Sequence, residues 1–252
     1  MTKIIICGAN GKMGKKVYEC ITSRDDCKAV AGIDTNTEKY ADFPIYSDFS
    51  EINEKPDVII DYSHPSVLSP LLEYCLTTGT PVVLATTGYS EEQIAQIKKA
   101  SAQIPVFFSW NMSLGINLLV QLAKKATSIL GSQFDIEIVE KHHNQKIDAP
   151  SGTALMIANA INETRNNEMK YTYDRHSVRR KREPEEIGIH AVRGGTIVGV
   201  HEVLFAGNDE TITISHSAAS KNVFAEGSVN AAVFVKDCKA GLYDMGNVVE
   251  QK

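Results

Sequence analysis

A short central segment of the chain carries two adjacent imidazoles, His142 and His143, and an ammonium group, Lys146, three residues later. Imidazoles exchange protons near neutral pH, and an ammonium group both donates protons and holds anions. This combination of residue types at this spacing predicts acid catalysis on a negatively charged substrate.

The residues that follow predict a helix start that can bind an anion. Pro150 disfavours a helical conformation in the residue before it, so the helix can begin only after it. Ser151 is a favourable N-cap, and residues 153–161 are strongly helix-forming. Gly152 and Thr153 then lie in the first turn, where backbone amides and the helix dipole bind a carboxylate or a phosphate.

The segment before the two histidines predicts the strand that positions them. Residues 135–140 alternate polar and apolar side chains, which is the period of a strand with one buried face. Neighbouring strand residues point to opposite faces, so we expect one of His142 and His143 to donate a proton and the other to bind.

Two alternatives to this interpretation are a metal site and a pair of ordinary surface histidines. No further metal ligand falls at ligand spacing in this segment, and zinc needs three or four protein ligands, so no metal is predicted. The nearby Lys146 and the anion-binding helix start argue against two surface histidines.

The chain begins with the order of strand, glycine-rich turn and helix that a dinucleotide-binding fold requires. Residues 3–7 are an apolar run, and the glycines Gly8, Gly11 and Gly14 lead into a helical stretch at residues 15–23. Gly8 is expected to make the tight turn, Gly11 to let the backbone approach a pyrophosphate, and Gly14 to let the helix pack on the strand.

An acidic residue in the next strand bears on the identity of the cofactor. Residues 29–34 predict the second strand, and its last residue, Asp34, is placed to accept hydrogen bonds from the adenosine ribose. Asp34 would repel a 2′-phosphate, although Lys12 and Lys39 could offset that charge. No arginine follows at residues 35–37 to grip a phosphate, so NADH is the preferred cofactor and NADPH is tolerated.

The rest of the first half continues the alternation of strands and helices. Strands are expected at residues 57–63, 81–85 and 105–109, and helices at 66–77 and after the cap Ser90. Continuous apolar strands separated by helices predict a parallel sheet covered on both faces. Ligands bind at the carboxyl ends of such strands, so residues 62–65, 85–88 and 109–112 are expected to form one rim.

The second half has a different pattern. A long amphipathic helix at residues 116–130 precedes the histidine segment, and strands follow at 187–192, 196–205 and 210–217. This order predicts an antiparallel sheet and a second domain, while an apolar helix at 224–243 returns to the first. The predicted fold is α/β: a Rossmann-type parallel sheet domain, residues 1–112 plus 222–252, with an inserted α+β domain, 113–221, on a mixed or antiparallel sheet.

Global features narrow the class of protein. A formal net charge of −5 argues against general affinity for nucleic acid or anionic membranes, and no apolar stretch has membrane-spanning length. No N-terminal signal segment is expected, and five scattered cysteines fit buried thiols in a reducing cytoplasm. The basic run at residues 179–182 precedes acidic residues, so it is expected to be a solvated loop or an intersubunit contact.

Residues 140–154, EKHHNQKIDAPSGTA, resemble the signature EXHHXXKXDAPSGTA of the 4-hydroxy-tetrahydrodipicolinate reductase (dihydrodipicolinate reductase) family. The resemblance covers essentially the whole chain. It is supported by residues 8–14, 61–65, 86–88, 111–115, 186–188 and 193–195.

The resemblance implies a reaction and a role for each matching residue. The reaction is the NAD(P)H-dependent reduction of 4-hydroxy-tetrahydrodipicolinate to tetrahydrodipicolinate, in the diaminopimelate route to lysine. His142 matches the proton donor or acceptor and Lys146 the proton donor, while His143, Gly152 and Thr153 match substrate ligands. The residues that match cofactor-binding segments are Gly8, Ala9, Asn10, Gly11, Lys12, Met13, Asp34, Ala85, Thr86, Thr87, Ser109, Trp110, Asn111 and Met112.

The resemblance also implies a mechanism and an assembly. Hydride passes from nicotinamide C4 to a carbon conjugated with a cyclic imine, and His142 or Lys146 protonates the resulting carbanion. The substrate is a small dicarboxylate, and a homotetramer forms through the sheet of the second domain.

Two residues depart from the family pattern. Ala85 replaces a usual glycine, and Trp110 stands where alanine or proline is usual, so the indole is expected to narrow the nicotinamide rim or to stack on the cofactor.

The alternative functions are another two-domain NAD(P)-dependent dehydrogenase of a small carboxylate and a non-catalytic NADH sensor. The His-His-Lys cluster argues against the first, and the presence of every proton-transfer residue argues against the second.

Overall fold

The computed structural model of the protein describes residues 1–250 and divides the chain into two compact units. The first unit comprises Met1–Leu114 and the segment that starts at Asn222, and the second comprises Gly115–Lys221. Residues 251 and 252 of the predicted first domain lie outside the described residues. Within residues 1–250, no helix has the length and apolar character needed to cross a membrane.

The first unit is built on a seven-stranded sheet in which every pair of neighbouring strands is parallel. Its order is β12-β6-β5-β4-β1-β2-β3. The strands are β1 (Thr2–Cys7), β2 (Cys27–Ile33), β3 (Ile45–Tyr46), β4 (Val58–Asp61), β5 (Val82–Leu84), β6 (Pro105–Phe108) and β12 (Gly241–Tyr243).

Helices cover both faces of this sheet, because its central strands bury side chains on either side. The helices are α1 (Lys12–Thr22), α2 (Leu68–Thr78), α3 (Glu91–Ser101), α6 (Asn222–Val235) and α7 (Met245–Glu250). One core contains apolar residues of α1 and α6, and the other contains those of α2 and α3. The strand order reverses between β1 and β4, so the loops after these two strands flank the crevice where such sheets bind ligands.

The second unit is built on a five-stranded mixed sheet of order β11-β10-β7-β9-β8. Its elements are α4 (Leu114–Leu130), whose first residue belongs to the first unit, β7 (Asp135–His142), α5 (Gly152–Thr164), β8 (Lys170–Thr172), β9 (Glu186–Arg193), β10 (Gly199–Ala206) and β11 (Thr211–Ala218). Strands β7, β8 and β9 run parallel, whereas β10 is antiparallel to both β7 and β11.

One face of the mixed sheet packs against α4 and α5. Alternate residues of β7 and β10, such as Ile138, Val203 and Phe205, join apolar residues of both helices in a single core. We call the opposite face of the sheet the open face; Val192 of β9 and Leu204 of β10 belong to it. The side chains of β7 that point to the covered face therefore lie beside α5.

The fold class is confirmed, and three predicted elements have a boundary that differs by three or more residues. Of the two sheet types expected for the second unit, the structure has the mixed one, because the chain crosses over through a helix or a long loop between its parallel strands. The helix predicted at residues 15–23 starts earlier, at Lys12, and the strand predicted at 196–205 starts later, at Gly199. The helix predicted at 224–243 ends at Val235, because residues 241–243 form β12 and pair with β6.

The basic run at residues 179–182 contributes ion pairs within the second unit. Arg180 pairs with Glu183 and with the buried Glu186, both at 2.7 Å. Arg182 pairs with Glu137 on β7 at 3.0 Å and donates a hydrogen bond to the carbonyl oxygen of Glu186. These contacts hold the segment on the sheet, while residues 179–181 lie exposed in a loop, as the sequence predicts.

Candidate active site

The end of β7 places a carboxylate and an imidazole on the covered face of the second sheet. Glu140 and His142 are two residues apart on the strand, so both point to the same face, and both are buried. His143 follows the strand and is half-buried. The two adjacent histidines thus lie in different environments.

Glu140 is a fully paired buried carboxylate. It accepts hydrogen bonds from His142 Nδ1 at 2.6 Å, from two nitrogens of Arg193 at 2.7 and 2.8 Å, and from the backbone amide of Ser151 at 2.9 Å. Burial acts to raise the pKa of Glu140, but the hydrogen bonds from Arg193, His142 and Ser151 outweigh it and lower the pKa. The carboxylate is therefore ionised and is the acceptor in all of these hydrogen bonds.

This pairing determines the tautomer of His142. An ionised carboxylate can only accept hydrogen bonds, so Nδ1 of His142 carries a proton, and Nε2 is the nitrogen that can exchange one with a ligand. A Cβ atom at Gly199 would lie 3.2 Å from Nε2, so this glycine leaves space beside the exchangeable nitrogen.

Lys146 lies in a turn that the same network holds. The ammonium group of Lys146 pairs with Asp148 at 2.7 Å, and this hydrogen bond lowers the pKa of the Asp148 carboxyl. Arg193, already bound to Glu140, also donates a hydrogen bond of 2.6 Å to the carbonyl oxygen of Asp148. Arg193 thus connects the Glu140–His142 pair to the turn that carries Lys146.

The predicted helix start is confirmed at Ser151. Its side-chain oxygen accepts the backbone amide of Ala154 at 3.1 Å, and α5 begins at Gly152. Gly152 is exposed and Thr153 is half-buried, and a Cβ atom at Gly152 would meet nothing within 4 Å. The first turn of a helix attracts anions, so this exposed backbone suits a carboxylate.

Two connections tie this cluster together. The Ser151 amide bonds to Glu140, so the N-cap of α5 and the imidazole of His142 share one carboxylate. His201 on β10 shares a further hydrogen bond with the Ser151 hydroxyl, at 3.0 Å.

No set of three or more His, Cys, Asp or Glu side chains within residues 1–250 is arranged to hold a metal ion.

Two residues of this cluster, His201 and Arg193, have no role predicted from the sequence. A signal for His201 was available, because it occupies a covered-face position of β10 between Gly199 and Val203, where the alternation calls for an apolar residue. Arg193 could not be given its partner from the sequence, since it reaches Glu140 across 53 positions of the chain.

In the first unit, the glycine-rich turn has the close backbone approaches that only glycine permits. Gly8 has φ +78°, and a Cβ atom there would lie 2.6 Å from the carbonyl oxygen of Tyr62. A Cβ atom at Gly14 would lie 2.1 Å from the carbonyl oxygen of Gly8, so α1 packs directly on the turn. Gly11 is the extended N-cap of α1, and Lys12 next to it is exposed.

Asp34 fixes the loop at the end of β2. Its carboxylate accepts the backbone amides of Asn10 at 2.9 Å and of Asn36 at 3.1 Å, and the Asn10 side chain donates to the carbonyl oxygens of Asn36 and Glu38. Lys39 in the same loop is exposed. The turn after β1 and the loop after β2 therefore form one hydrogen-bonded rim.

A second buried carboxylate, Asp61, organises the loop after β5. It accepts hydrogen bonds from Thr86 Oγ1 at 2.8 Å, from the Tyr89 hydroxyl at 3.0 Å, and from the amide and hydroxyl of Ser63. Ala85 and Thr86 are buried, whereas Thr87 is exposed. Burial is the main cause that raises the pKa of Tyr89, with the charge of Asp61 as the next, so the phenol remains a donor.

The segment after β6 contains Trp110, which stands where alanine or proline is usual in the family. The indole is 66% exposed, and its ring centroid lies 5.3 Å from that of Phe108. On either side of it, Asn111 is buried, and the Ser109 hydroxyl donates to the carbonyl oxygen of Asn111 at 3.0 Å. Met112 is buried.

These rim residues fit a dinucleotide. The tight turn that the close backbone contacts of Gly8 and Gly14 require, and the acidic residue at the end of β2, are the features by which such folds bind a pyrophosphate and a ribose. The remaining predicted cofactor residues of the turn, Ala9, Asn10 and Met13, lie between these glycines.

Family models match both halves of the chain. The model described as "Dihydrodipicolinate reductase, N-terminus" matches residues 2–112, and the model described as "Dihydrodipicolinate reductase, C-terminus" matches residues 115–249.

Individual relatives match over the full length. The chain is 52% identical to the 4-hydroxy-tetrahydrodipicolinate reductase of Caldanaerobacter subterraneus subsp. tengcongensis, over 100% of this chain and 99% of that protein. It is 44% identical to the enzyme of the same name from Clostridium novyi, over 100% of both. The solved structure of dipicolinate-bound dihydrodipicolinate reductase from Paenisporosarcina sp. TG-14 superimposes with a TM-score of 0.83 at 26% identity, covering 98% of this chain and 99% of that one.

Proposed function

The chain belongs to the dihydrodipicolinate reductase family, and we propose that it reduces 4-hydroxy-tetrahydrodipicolinate with proton donation by His142 or Lys146. It is an NAD(P)H-dependent oxidoreductase of the diaminopimelate route to lysine. The observation that carries the assignment of roles is the network around Glu140. The Glu140 carboxylate orients both the imidazole of His142 and the N-cap Ser151 of α5. In this proposal the imidazole is the acid, and the start of α5 binds a carboxylate of the same substrate.

The first unit holds the cofactor in this proposal. Gly8 makes the tight turn, Gly11 lets the backbone approach the pyrophosphate, and Gly14 lets α1 pack on the turn. Asp34 accepts hydrogen bonds from the ribose hydroxyls, and the loops at 85–87 and 109–112 line the nicotinamide. When bound, the nicotinamide supplies the hydride for the reduction. NADH is preferred over NADPH, because a 2′-phosphate would meet the Asp34 carboxylate with no arginine at residues 35–37.

The second unit holds the substrate. The first-turn amides at Gly152 and Thr153 bind one carboxylate, and His143 contributes a further contact. Lys146 adds positive charge next to this helix start, which matters in a protein whose formal net charge is −5.

Proton donation is assigned to the same unit. His142 Nε2 is the exchangeable nitrogen, and Glu140 stabilises the imidazolium that forms when Nε2 takes up a proton. Lys146 is the second donor and is oriented by its ion pair with Asp148.

We also propose that the chain assembles as a homotetramer through the open face of the second sheet. Val192 is 44% exposed there, and Val139, Val200 and Leu204 on the same face are half-buried. Apolar side chains gathered on a sheet face favour pairing with a second copy.

The decisive experiment follows NADH oxidation by absorbance, with the substrate generated in place from pyruvate and aspartate semialdehyde by the preceding synthase. We expect rapid oxidation that depends on the synthase, inhibition by dipicolinate, and a higher kcat/KM with NADH than with NADPH run in parallel. Binding of NADH without oxidation of either cofactor would contradict the proposal and favour a non-catalytic sensor. A lower kcat/KM with NADH would overturn only the cofactor preference.

A further inference from the structure

A second buried imidazole, His201, lies behind His142 and has no place in the family signature or in the mechanism above. It points to the covered face from β10, is 4% exposed, and its Nε2 lies 3.0 Å from the hydroxyl oxygen of Ser151. Its ring meets that of His142 edge to face, with centroids 5.2 Å apart. His201 therefore touches both the proton-exchanging residue and the N-cap of α5.

The hydrogen bonds of Ser151 indicate which nitrogen of His201 carries the proton. The hydroxyl oxygen accepts the amide of Ala154, and its own proton is free to be donated to Nε2 of His201. This assignment leaves one unsatisfied group, the Nδ1–H of His201, which has no partner among the described residues. The opposite assignment would leave the serine proton and the Nδ1 lone pair both unsatisfied, so it is disfavoured.

We propose that His201 is a positioning residue of the active site: as an uncharged acceptor it fixes the Ser151 hydroxyl, and thereby the first-turn amides of α5 that bind the substrate carboxylate. The inference rests on the proposed function, because it assigns the ligand of these amides as the dicarboxylate. His201 touches neither the carboxylate nor the reacting atoms in this proposal, so it acts through Ser151.

The surroundings of His201 favour the uncharged form that this role requires. The titratable groups that face it are His142 and Glu140 on β7, His216 on β11, and Lys146 in the turn before α5. Burial is the main cause that lowers the pKa of His201, to about 4, followed by the charge of His142. A second cation beside His142 would oppose its protonation, so an uncharged His201 also suits the acid role of His142.

The test replaces His201 by a ring that cannot accept a hydrogen bond. In His201→Phe the packing against His142 is kept, and we expect the inhibition constant of dipicolinate and the KM of the substrate to rise about tenfold or more. The dissociation constant of NADH, followed through the fluorescence of Trp110, the single tryptophan, is expected to stay unchanged. His201→Gln, whose amide oxygen can accept the serine proton, is expected to restore most of the affinity.

Two further variants separate this role from a general packing effect. His216 lies directly opposite His201 on β11, so His216→Phe is the matched control and is expected to leave the inhibition constant unchanged. In a Ser151→Ala background, His201→Phe is expected to cause no further loss, because the hydrogen bond is already absent. If His201→Phe does not fold, Ser151→Ala and His201→Gln are compared in its place.

Each failure has a distinct signature. An active unmodified protein whose dipicolinate affinity survives His201→Phe, or is lost to the same extent in His201→Gln and His216→Phe, would overturn the inference alone. Unmodified protein that neither oxidises NADH with the synthase nor binds dipicolinate would instead overturn the proposed function.

Discussion

At the scale of single residues, Glu140 controls the chemistry of His142 without being able to take part in it. Its carboxylate is buried and already accepts hydrogen bonds from Arg193 and the Ser151 amide, so it has no capacity for substrate. It holds the proton on Nδ1 of His142, and in the proposed mechanism its charge stabilises the imidazolium. A buried carboxylate such as Glu140 is identified through the residues it hydrogen-bonds, not through contact with a ligand.

Replacing the charge of Glu140 while keeping its shape tests this role. In Glu140→Gln the amide cannot stabilise an imidazolium, so we expect kcat to fall about a hundredfold or more, with NADH affinity unchanged. The measurement is steady-state kinetics beside fluorescence titration of Trp110. Glu163→Gln, a carboxylate on α5 that pairs with Lys124 at 3.9 Å and lies away from the open face, is the control. Equal kcat values for Glu140→Gln and the unmodified protein would remove the charge from the mechanism.

Lys146 is tested separately as a proton donor. Lys146→Ala removes the ammonium group that Asp148 orients, and turnover is expected to fall by about two or more orders of magnitude while NADH binding survives. The readout is the single-turnover rate at saturating substrate, which separates chemistry from binding. Lys124→Ala, which removes an ammonium group of α4 that pairs with Glu163 at 3.9 Å, should behave like the unmodified protein. Unchanged turnover in Lys146→Ala would exclude this residue as a donor.

Local sequence rules predicted some residues of the cluster and not others. The N-cap Ser151 follows from its neighbours, because Pro150 and a helix-forming run define the helix start within four residues. The bond between Arg193 and Glu140 depends on the pairing of β7 with β9, and the contact of His201 depends on the pairing of β7 with β10. No local pattern specifies which distant strand becomes the neighbour.

At the scale of secondary structure elements, α1 shows how a missing side chain determines where a helix begins. The glycine turn was expected to extend to Gly14, but the helix already begins at Lys12, so Gly14 lies inside it. The carbonyl oxygen of Gly8 occupies the space where a Gly14 side chain would be. The turn and the helix therefore share one backbone contact.

Gly14→Ala tests the importance of that contact. The added Cβ atom would lie 2.1 Å from the Gly8 oxygen, so α1 must shift away from the turn, at a cost of about 1–3 kcal/mol. We expect NADH affinity to fall at least about tenfold and the urea midpoint of unfolding to decrease. Gly194→Ala adds a Cβ atom where nothing lies within 4 Å and serves as the control. Full NADH affinity in Gly14→Ala would show that the turn tolerates the displacement.

The strand β10 makes the stability of the protein depend on pH through His201. Its pKa in the folded protein is about 4, below the value of 6.5 expected when unfolded, so the unfolded state binds the proton first as the pH falls. The contribution of His201 to the free energy of unfolding is therefore fully present above about pH 6.5. As the pH falls to 4, this contribution decreases by on the order of 3 kcal/mol.

Urea unfolding at a series of pH values measures this dependence. His201→Gln lacks the titrating group and is expected to lose less stability than the unmodified protein between pH 6.5 and 4. His216→Gln is a comparison on the neighbouring strand, where burial lowers the histidine pKa as well. Parallel stability curves for His201→Gln and the unmodified protein would contradict the assignment.

The predicted boundaries of helices and strands were wrong where pairing between distant strands overrides the local preference of the sequence for a helix. The apolar composition of residues 224–243 favours a helix throughout, yet residues 241–243 add a strand to the edge of the sheet beside β6. β3 and β8 have only two and three residues, too few for an alternating pattern. Long periodic elements such as α4 and β7 were found because burial of one face imposes the period on the sequence.

At the scale of the whole molecule, each unit has a buried carboxylate at or near a strand end that orients loops with proposed ligand-binding residues. Asp61 ends β4 and holds Thr86 and Tyr89, while Glu140 near the end of β7 holds His142 and Ser151. In each case the carboxylate is saturated with donors from the protein. In the proposed function, ligand contacts are thereby left to residues whose orientation is already fixed, which reduces the entropy lost on binding.

Assembly through the open face of the second sheet is tested by placing a charge on it. Val192 is 44% exposed there, so Val192→Asp would bury a carboxylate if copies meet on this face. Native mass spectrometry is expected to give four times the 27.6 kDa chain mass for the unmodified protein and a smaller species for Val192→Asp. Ile129→Asp changes an exposed apolar residue of α4, which packs on the opposite face, and should leave the tetramer intact. A Val192→Asp variant that keeps the full mass would place the interface elsewhere.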